Sequence, residues 1–290
     1  MSNATGNASA SSAAGAALPR EIEELLKQRR EELGDFARTP VYLPITSSTN
    51  DRAAELAAAG AHEGTWVIAD EQSAGRGRRG RAWASPPGAG LYLSVVFRPH
   101  PTQHADATSL LTLMAGVAAV RGVRAATGLE PTLKWPNDLI IEAKNGRFRK
   151  LAGILAEASA TGGELQFIIL GIGINLTPAA YPPDVAVRAT SIEGELGRPA
   201  DRAMVLIETL AALAQGRRQL LDGRAADVLS AWRALSPSSV GRRVRWQSLA
   251  GVTQGIDDTG ALLVRPAGAS SAGTGTGALE RIIAGEVEWD

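Results

Sequence analysis

The 290-residue chain contains no cysteine. That removes disulfides, thiolate nucleophiles and cysteine metal sites together. Histidine is scarce too: His62, His100 and His104 stand apart from any acidic cluster, which argues against a catalytic zinc centre. Lysine occurs only at Lys27, Lys134, Lys144 and Lys150, so 26 of the 30 basic residues are arginine. Thirty acidic residues balance them to a net charge of zero, where a general nucleic-acid binder would carry a positive excess spread over one face. The longest alanine- and leucine-rich stretch, Ala105 to Thr127, falls short of about 20 uninterrupted apolar residues and carries Arg121 and Arg124. It predicts a half-buried helix closed near Gly128, with no membrane span. The first eighteen residues are small and polar, without the basic start and apolar core of a secretory signal. They predict a disordered tail and, by default, a cytoplasmic protein.

What the chain does have is one concentrated basic loop. "DEQSAGRGRRGRAWASP" (residues 70–86) sets Arg76, Arg78, Arg79 and Arg81 among Gly75, Gly77 and Gly80, followed by Trp83. Glycine lets the backbone approach a ligand, and the guanidinium fork matches phosphate or carboxylate oxygens. So many like charges on so flexible a backbone are unfavourable without a compensating anion. The loop lies between two strand patterns, "GTWVIAD" and "GLYLSVVFRP", where a sheet can aim it. No Gly-x-Gly-x-x-Gly opens a helix, and the Walker lysine motif is missing, so any nucleotide is held by another device.

Along the rest of the chain, Pro19 to Leu33 predicts one amphipathic helix stopped by Gly34, too little for a helix-turn-helix reader. "PVYLPI" predicts a strand, and Ser48, Thr49 and Asn50 can cap the alanine-rich helix after it. Capping uses one such residue, whereas the polar row runs from Ser47 to Asn50. "PTLKWPNDLII" and "RFRKLAGILAEAS" predict a hairpin reversing at Asn145 and Gly146, and "LQFIILGIGINL" a central strand. Helices follow at about Asp201 to Leu221 and Ala225 to Leu235. We divide the chain into a tail with a single helix (1–40), an α/β unit on a mixed, mainly antiparallel sheet (41–236), and a small β-barrel (237–290) with a Gly/Ser-rich loop at 268–277.

Beyond the loop, two segments carry candidate chemistry. In "KWPND", Trp135 suits the core and Pro136 and Asn137 a turn, while Lys134 and Asp138 flank an apolar sheet and need partners if buried. Asp138 is a plausible acid beside a phosphate or metal. Lys150 opens an apolar strand where an ammonium is best used facing an anion, and Asn175 ends "GIGIN", whose glycines leave room for a flat ligand on the sheet. These patterns alone reach an anion-binding α/β enzyme with a small β domain.

"SSTN", "GRGRRGRAW", "KWPND", "RKLAGIL" and "GIGIN", in that order, make the chain resemble the biotin protein ligases over about residues 41 to 290. The resemblance implies the class II synthetase-like catalytic fold with an SH3-like C-terminal barrel, of the monofunctional type without a DNA-binding domain. It implies biotinyl-5'-AMP formation from biotin and ATP, with Mg2+ as cofactor, then transfer of biotin to a lysine of a biotin carboxyl carrier domain, as in a biotin-acetyl-CoA-carboxylase ligase. Ser48, Thr49 and Gln72 match the residues that bond the biotin ureido group, with Asn50 and Gly75 beside them. Arg76 and Arg78 match arginines that order over biotin and the phosphates, and Lys150 the lysine between the biotin carboxylate and the α-phosphate. The nucleotide side comprises Arg78, Arg79, Arg81, Lys134, Asn137 and Lys150, with Trp83 packing on adenine, Asn175 bonding its edge and Asp138 helping to place the metal. Neither nucleic acid nor membrane is expected as a partner. Open sheet edges allow a homodimer.

Overall fold

The computed structural model describes residues 15–38, 40–99, 107–143, 146–247, 249–267, 278–283, 285 and 287–289. Its apolar runs pair into a seven-stranded sheet made of β1 (Pro40–Thr46), β2 (Trp66–Gln72), β3 (Gly90–Phe97), β4 (Thr132–Lys134), β5 (Asp138–Glu142), β6 (Phe148–Thr161) and β7 (Glu164–Asn175). The order is β1-β2-β3-β7-β6-β5-β4. β1 and β2 are parallel because helix α3 (Thr49–Ala58) crosses between them, and the other neighbours are antiparallel. The strand expected at the centre is there: β7 lies between β3 and β6. It follows β6 through Gly162 and Gly163, both at positive φ (62° and 86°), as a two-residue reversal requires. The β5–β6 hairpin also forms, though Asn145 lies outside the described residues.

Helices cover both faces of this sheet. On one, α3 packs Ala53 and Ala57 against Val67, Val96, Phe167 and Ile169. On the other, α4 (Ala107–Thr127), α6 (Arg202–Leu221) and α7 (Ala225–Leu235) share the main core, and the short α5 (Ile192–Leu196), not foreseen from the sequence, starts on the Ser191 side-chain cap. Length and composition would let α4 cross a membrane, yet here it is a core helix packed on α6. Gly122 of α4 makes that approach close, since a Cβ there would fall 2.6 Å from the Thr209 Cα.

The single helix expected from Pro19 to Leu33 is instead two, α1 (Arg20–Gln28) and α2 (Arg30–Leu33), broken at Arg29 and followed by a 3-10 turn, Gly34–Ala37. At the break the Arg29 guanidinium donates to Glu32 Oε2 (2.5 Å) and Glu208 Oε1 (2.6 Å). The kink and Gly34, at φ 56°, bring Leu33 and Phe36 into the core that already buries Ile22 and Leu26. Both outer strands of the sheet have neighbours: Ala16 N donates to Tyr42 O of β1 (2.8 Å), and Ser236 Oγ donates to Leu133 O of β4 (2.7 Å).

The barrel expected for the last fifty residues is not formed. Strands β8 (Val240–Trp246), β9 (Leu249–Ile256), β10 (Leu262–Pro266), β11 (Glu280–Ile282) and β12 (Glu288–Trp289) make an open sheet in the order β11-β10-β9-β8-β12. Among the described residues its ends, three- and two-residue strands, do not pair with each other. Closure is not required to bury the apolar face, because Val244, Trp246, Ile256, Leu262, Val264 and Ile282 share one core with the larger unit. Trp135 strengthens that junction by donating its Nε1–H to Gly260 O (3.0 Å). The Gly/Ser-rich stretch 268–277 lies outside the described residues.

Candidate active site

A cavity of about 990 Å³ opens where the 73–89 loop, the start of α3 and the glycine-bearing ends of β6 and β7 meet. All fifteen residues singled out from the sequence line it: Ser48, Thr49, Asn50, Gln72, Gly75, Arg76, Arg78, Arg79, Arg81, Trp83, Lys134, Asn137, Asp138, Lys150 and Asn175. Their groups divide into an uncharged end and a cationic end.

The uncharged end is built from the polar row before α3. Ser48 takes the N-cap backbone geometry but makes no side-chain capping bond, so helix capping does not explain its hydroxyl. Thr49 donates its backbone N–H (2.9 Å) and its Oγ1–H (3.1 Å) to Gln72 Oε1, and Gln72 Nε2 donates to Ser85 Oγ (2.8 Å). Those bonds orient the Gln72 amide. Ser94, fully buried on β3, brings its Oγ within 2.8 Å of Thr49 Oγ1 and 2.6 Å of Asn50 Oδ1. Asn50 also donates to Glu157 Oε2 (2.5 Å), packed so tightly on β7 that a Cβ at Gly171 would overlap it. Ser85, Ser94 and Glu157 were not foreseen, although a serine inside the apolar run of β3 was a usable signal.

At the cationic end, Lys150 Nζ pairs with Asp138 Oδ1 (2.6 Å) and lies 5.3 Å from the centre of the Trp83 ring. Its backbone is held by the unforeseen strap at 188–190: Lys150 N donates to Arg188 O (2.8 Å), and Thr190 N donates to Lys150 O (2.9 Å). Asn175 Nδ2 donates to Thr190 O (2.9 Å), so this amide N–H braces the strap. Asn137 Nδ2 donates to Ile154 O (2.7 Å), and its Oδ1 accepts from Arg78 (3.3 Å). Lys134 Nζ sits 5.7 Å from the centre of the Trp289 ring, and Gly285 and Val287 of the C-terminal segment also line the cavity.

The room on the sheet implied by "GIGIN" is taken by an indole. Gly153 and Gly173 are cross-strand partners, and a Cβ on Gly173 would fall 2.6 Å from Trp83 Cε2. Trp83 therefore forms part of the floor. Its loop is folded: at the base Trp83 N donates to Gly75 O (2.9 Å), and across the tip Gly77 N donates to Arg81 O (2.7 Å). At the tip Arg79 adopts φ 57° beside Gly80 at φ 72°. Arg76 makes a two-pronged pair with Asp51, NH1 to Oδ2 at 2.7 Å and NH2 to Oδ1 at 2.6 Å, and lies 3.3 Å from Glu157. The hydrogen bond from Arg76 holds the Asp51 carboxyl below its usual range. Burial pushes the Tyr92 phenol up, leaving it a neutral donor to Pro86 O (3.1 Å).

Among the described residues no three His, Asp or Glu side chains converge, so the protein alone builds no metal cage. Asp138, whose Oδ1 pairs with Lys150, is the carboxylate at the cationic end that would share a magnesium with bound phosphates. The site offers oriented amides and hydroxyls beside a group of lysines and arginines, which suits a neutral polar ring carrying, or meeting, an anionic chain.

Residues 42–175 match the biotin/lipoate A/B protein ligase family. The biotin-acetyl-CoA-carboxylase ligase of Paracoccus denitrificans is 39% identical over 238 residues, spanning 78% of this chain and 94% of that protein. The chain belongs to this family. The chain is likewise similar to the bifunctional ligase/repressor BirA of Bacillus subtilis, at 37% identity over 231 residues, 77% of this chain and 68% of the relative. Among solved structures, the biotin protein ligase from Aquifex aeolicus in complex with biotin and ATP superposes with a TM-score of 0.71 at 25% identity, covering 87% of this chain and 99% of that one. The family match runs from β1 to β7 and thus covers every cavity segment except residues 180–189 and the C-terminal Gly285 and Val287.

Proposed function

We propose that the protein is an ATP-dependent biotin ligase of the monofunctional type. It forms biotinyl-5'-AMP and transfers biotin to one lysine of a biotin carboxyl carrier domain, such as that of acetyl-CoA carboxylase. The observation that carries this reading is the division of one cavity into an oriented uncharged end at Ser48, Thr49 and Gln72 and a cationic end at Arg78, Lys134 and Lys150. The ureido ring presents both donors and acceptors to the first, and carboxylate and phosphates meet the second. Relatives named as biotin ligases, one solved with biotin and ATP, support the choice of substrates. The packing of α1 and α2 into the catalytic core supports assigning this arm to the ligase rather than to a DNA reader.

In the first step a biotin carboxylate oxygen attacks the α-phosphorus, the bond to pyrophosphate breaks, and Lys150 stabilises charge on the phosphoryl oxygens. In the second, the carrier amine attacks the acyl carbon, AMP leaves with the C–O bonding pair, and the amine loses a proton. The folded loop keeps water from the mixed anhydride. Purified protein is expected to exchange labelled pyrophosphate into ATP only when biotin is present. Exchange driven equally by lipoate or octanoate, or none with biotin in a folded sample, overturns the reading.

Arg78→Ala tests the loop directly. Biotin affinity should fall little, because the ureido contacts remain, while biotinyl-AMP should dissociate about 10- to 100-fold faster, the worth of one charge-assisted contact of about 1.5–3 kcal/mol. Released adenylate acylates exposed lysines of bystander proteins. Wild-type dissociation with strictly carrier-directed labelling would exclude Arg78 from retention.

A further inference from the structure

Arg76 stands apart from the other arginines of the loop. Arg78, Arg79 and Arg81 occupy the tip, whereas Arg76 lies at the base, bridged to Ala82 as the first rung of a small hairpin. Its guanidinium turns to two carboxylates outside the loop, Asp51 on the first turn of α3 and Glu157 on β6. A two-pronged guanidinium–carboxylate pair fixes orientation as well as distance, which a single contact does not. Asp51 directly follows Asn50, and Asn50 donates to the same Glu157 that faces Arg76. One arginine thus joins the loop base to the helix start bearing Ser48 and Thr49 and to the β6 segment beyond Lys150.

We propose that Asp51, assisted by Glu157, clamps Arg76 so that the base of the arginine loop stays folded without ligand, leaving only the tip from Gly77 to Arg81 to rearrange around the reaction intermediate. Asp51 is then a positioning residue that acts through Arg76. The backbone bonds of Ser73 N to Thr46 O (2.9 Å) and Ala74 N to Ser47 O (2.8 Å) secure the incoming side of the same base. A loop folded at its root has fewer states to lose when it closes, so retention of the intermediate gains from preorganisation. Asp51 is held ionised by Arg76, and its contribution is present above the ordinary aspartate range and lost only as pH falls through its lowered folded value. Loop protection should accordingly be flat from about pH 5 to 9.

The retention half of this inference rests on the proposed ligase reading, whereas the clamp can be tested without substrate. Trypsin cuts after the tip arginines Arg78, Arg79 and Arg81, and mass spectrometry reads each cut in the ligand-free full-length protein. Because the pair is partly exposed, Asp51→Ala should raise tip cleavage about three- to fivefold while leaving cleavage elsewhere and the thermal midpoint near wild type. Arg76→Ala should do the same, and the double variant no more than either single one, since both remove one interaction. Asp51→Ala should also speed biotinyl-AMP release by a similar factor. Wild-type tip cleavage in Asp51→Ala, or multiplying effects in the double variant, overturns the clamp. A protected loop in a protein lacking biotin-dependent exchange would sink the ligase reading and leave the clamp standing.

Discussion

Lys150→Ala is expected to slow biotinyl-AMP formation by about 10²- to 10³-fold, the usual cost of removing one preorganised group aimed at developing charge. The ammonium is preorganised in three ways. Its strand is gripped by the 188–190 strap, its Nζ is held 2.6 Å from Asp138 Oδ1, and the Trp83 ring limits water on one side. Biotin affinity should change far less, because the uncharged end of the cavity is untouched and the lysine matters most where negative charge builds up. Single-turnover formation of the adenylate at saturating biotin and ATP gives the rate, and equilibrium binding of biotin gives the affinity. A normal rate would move the role to Arg78 or Lys134, while rate and affinity falling together would make Lys150 a general binding group.

Gly173→Ala should be nearly as damaging, although it removes no functional group. The added methyl would lie 2.6 Å from Trp83 Cε2 and 2.7 Å from its Nε1, so the indole must leave its seat on β7. Overpacking of this kind costs about 1–3 kcal/mol, and a displacement of about 1 Å at a reacting site can cost up to 100-fold in rate. We expect biotin-dependent exchange to fall about 10- to 100-fold with a red-shifted tryptophan emission. The same substitution made after Trp83→Ala should cost little more, because the clash partner is gone. Equal damage in both backgrounds would place the fault in β7 itself.

Most of the site was legible as residue types in order, because the chemistry depends on which groups are present. "SSTN", the arginine–glycine loop, "KWPND", Lys150 and "GIGIN" all reached one cavity. Their partners were not legible. Apart from Ser94, a serine inside an apolar strand, they carry no signature: Asp51, Glu157, Ser85 and the 188–190 strap become specific only through the side chains that meet them. Arg76 shows the difference: its place in the loop marked it as a cation suited to phosphate or carboxylate oxygens, and only the fold brings Asp51 and Glu157 to it.

The sequence by itself determined the secondary elements with strong periodicity, the mainly antiparallel sheet with β7 at its centre, and the family motifs. Alternation, turn glycines and capping residues act over a few positions and can be read locally. Three features were decided only by the tertiary structure. The helix after Pro19 breaks at Arg29, where the side chain reaches Glu208 of a helix almost 180 residues away (a separation of 179). The C-terminal strands stay an open sheet because the larger unit covers their apolar face. The glycines of β6 and β7 seat Trp83 from another part of the chain, leaving the cavity beside it. Each depends on what lies across the gap, and burial and partner geometry do not exist until the chain has folded.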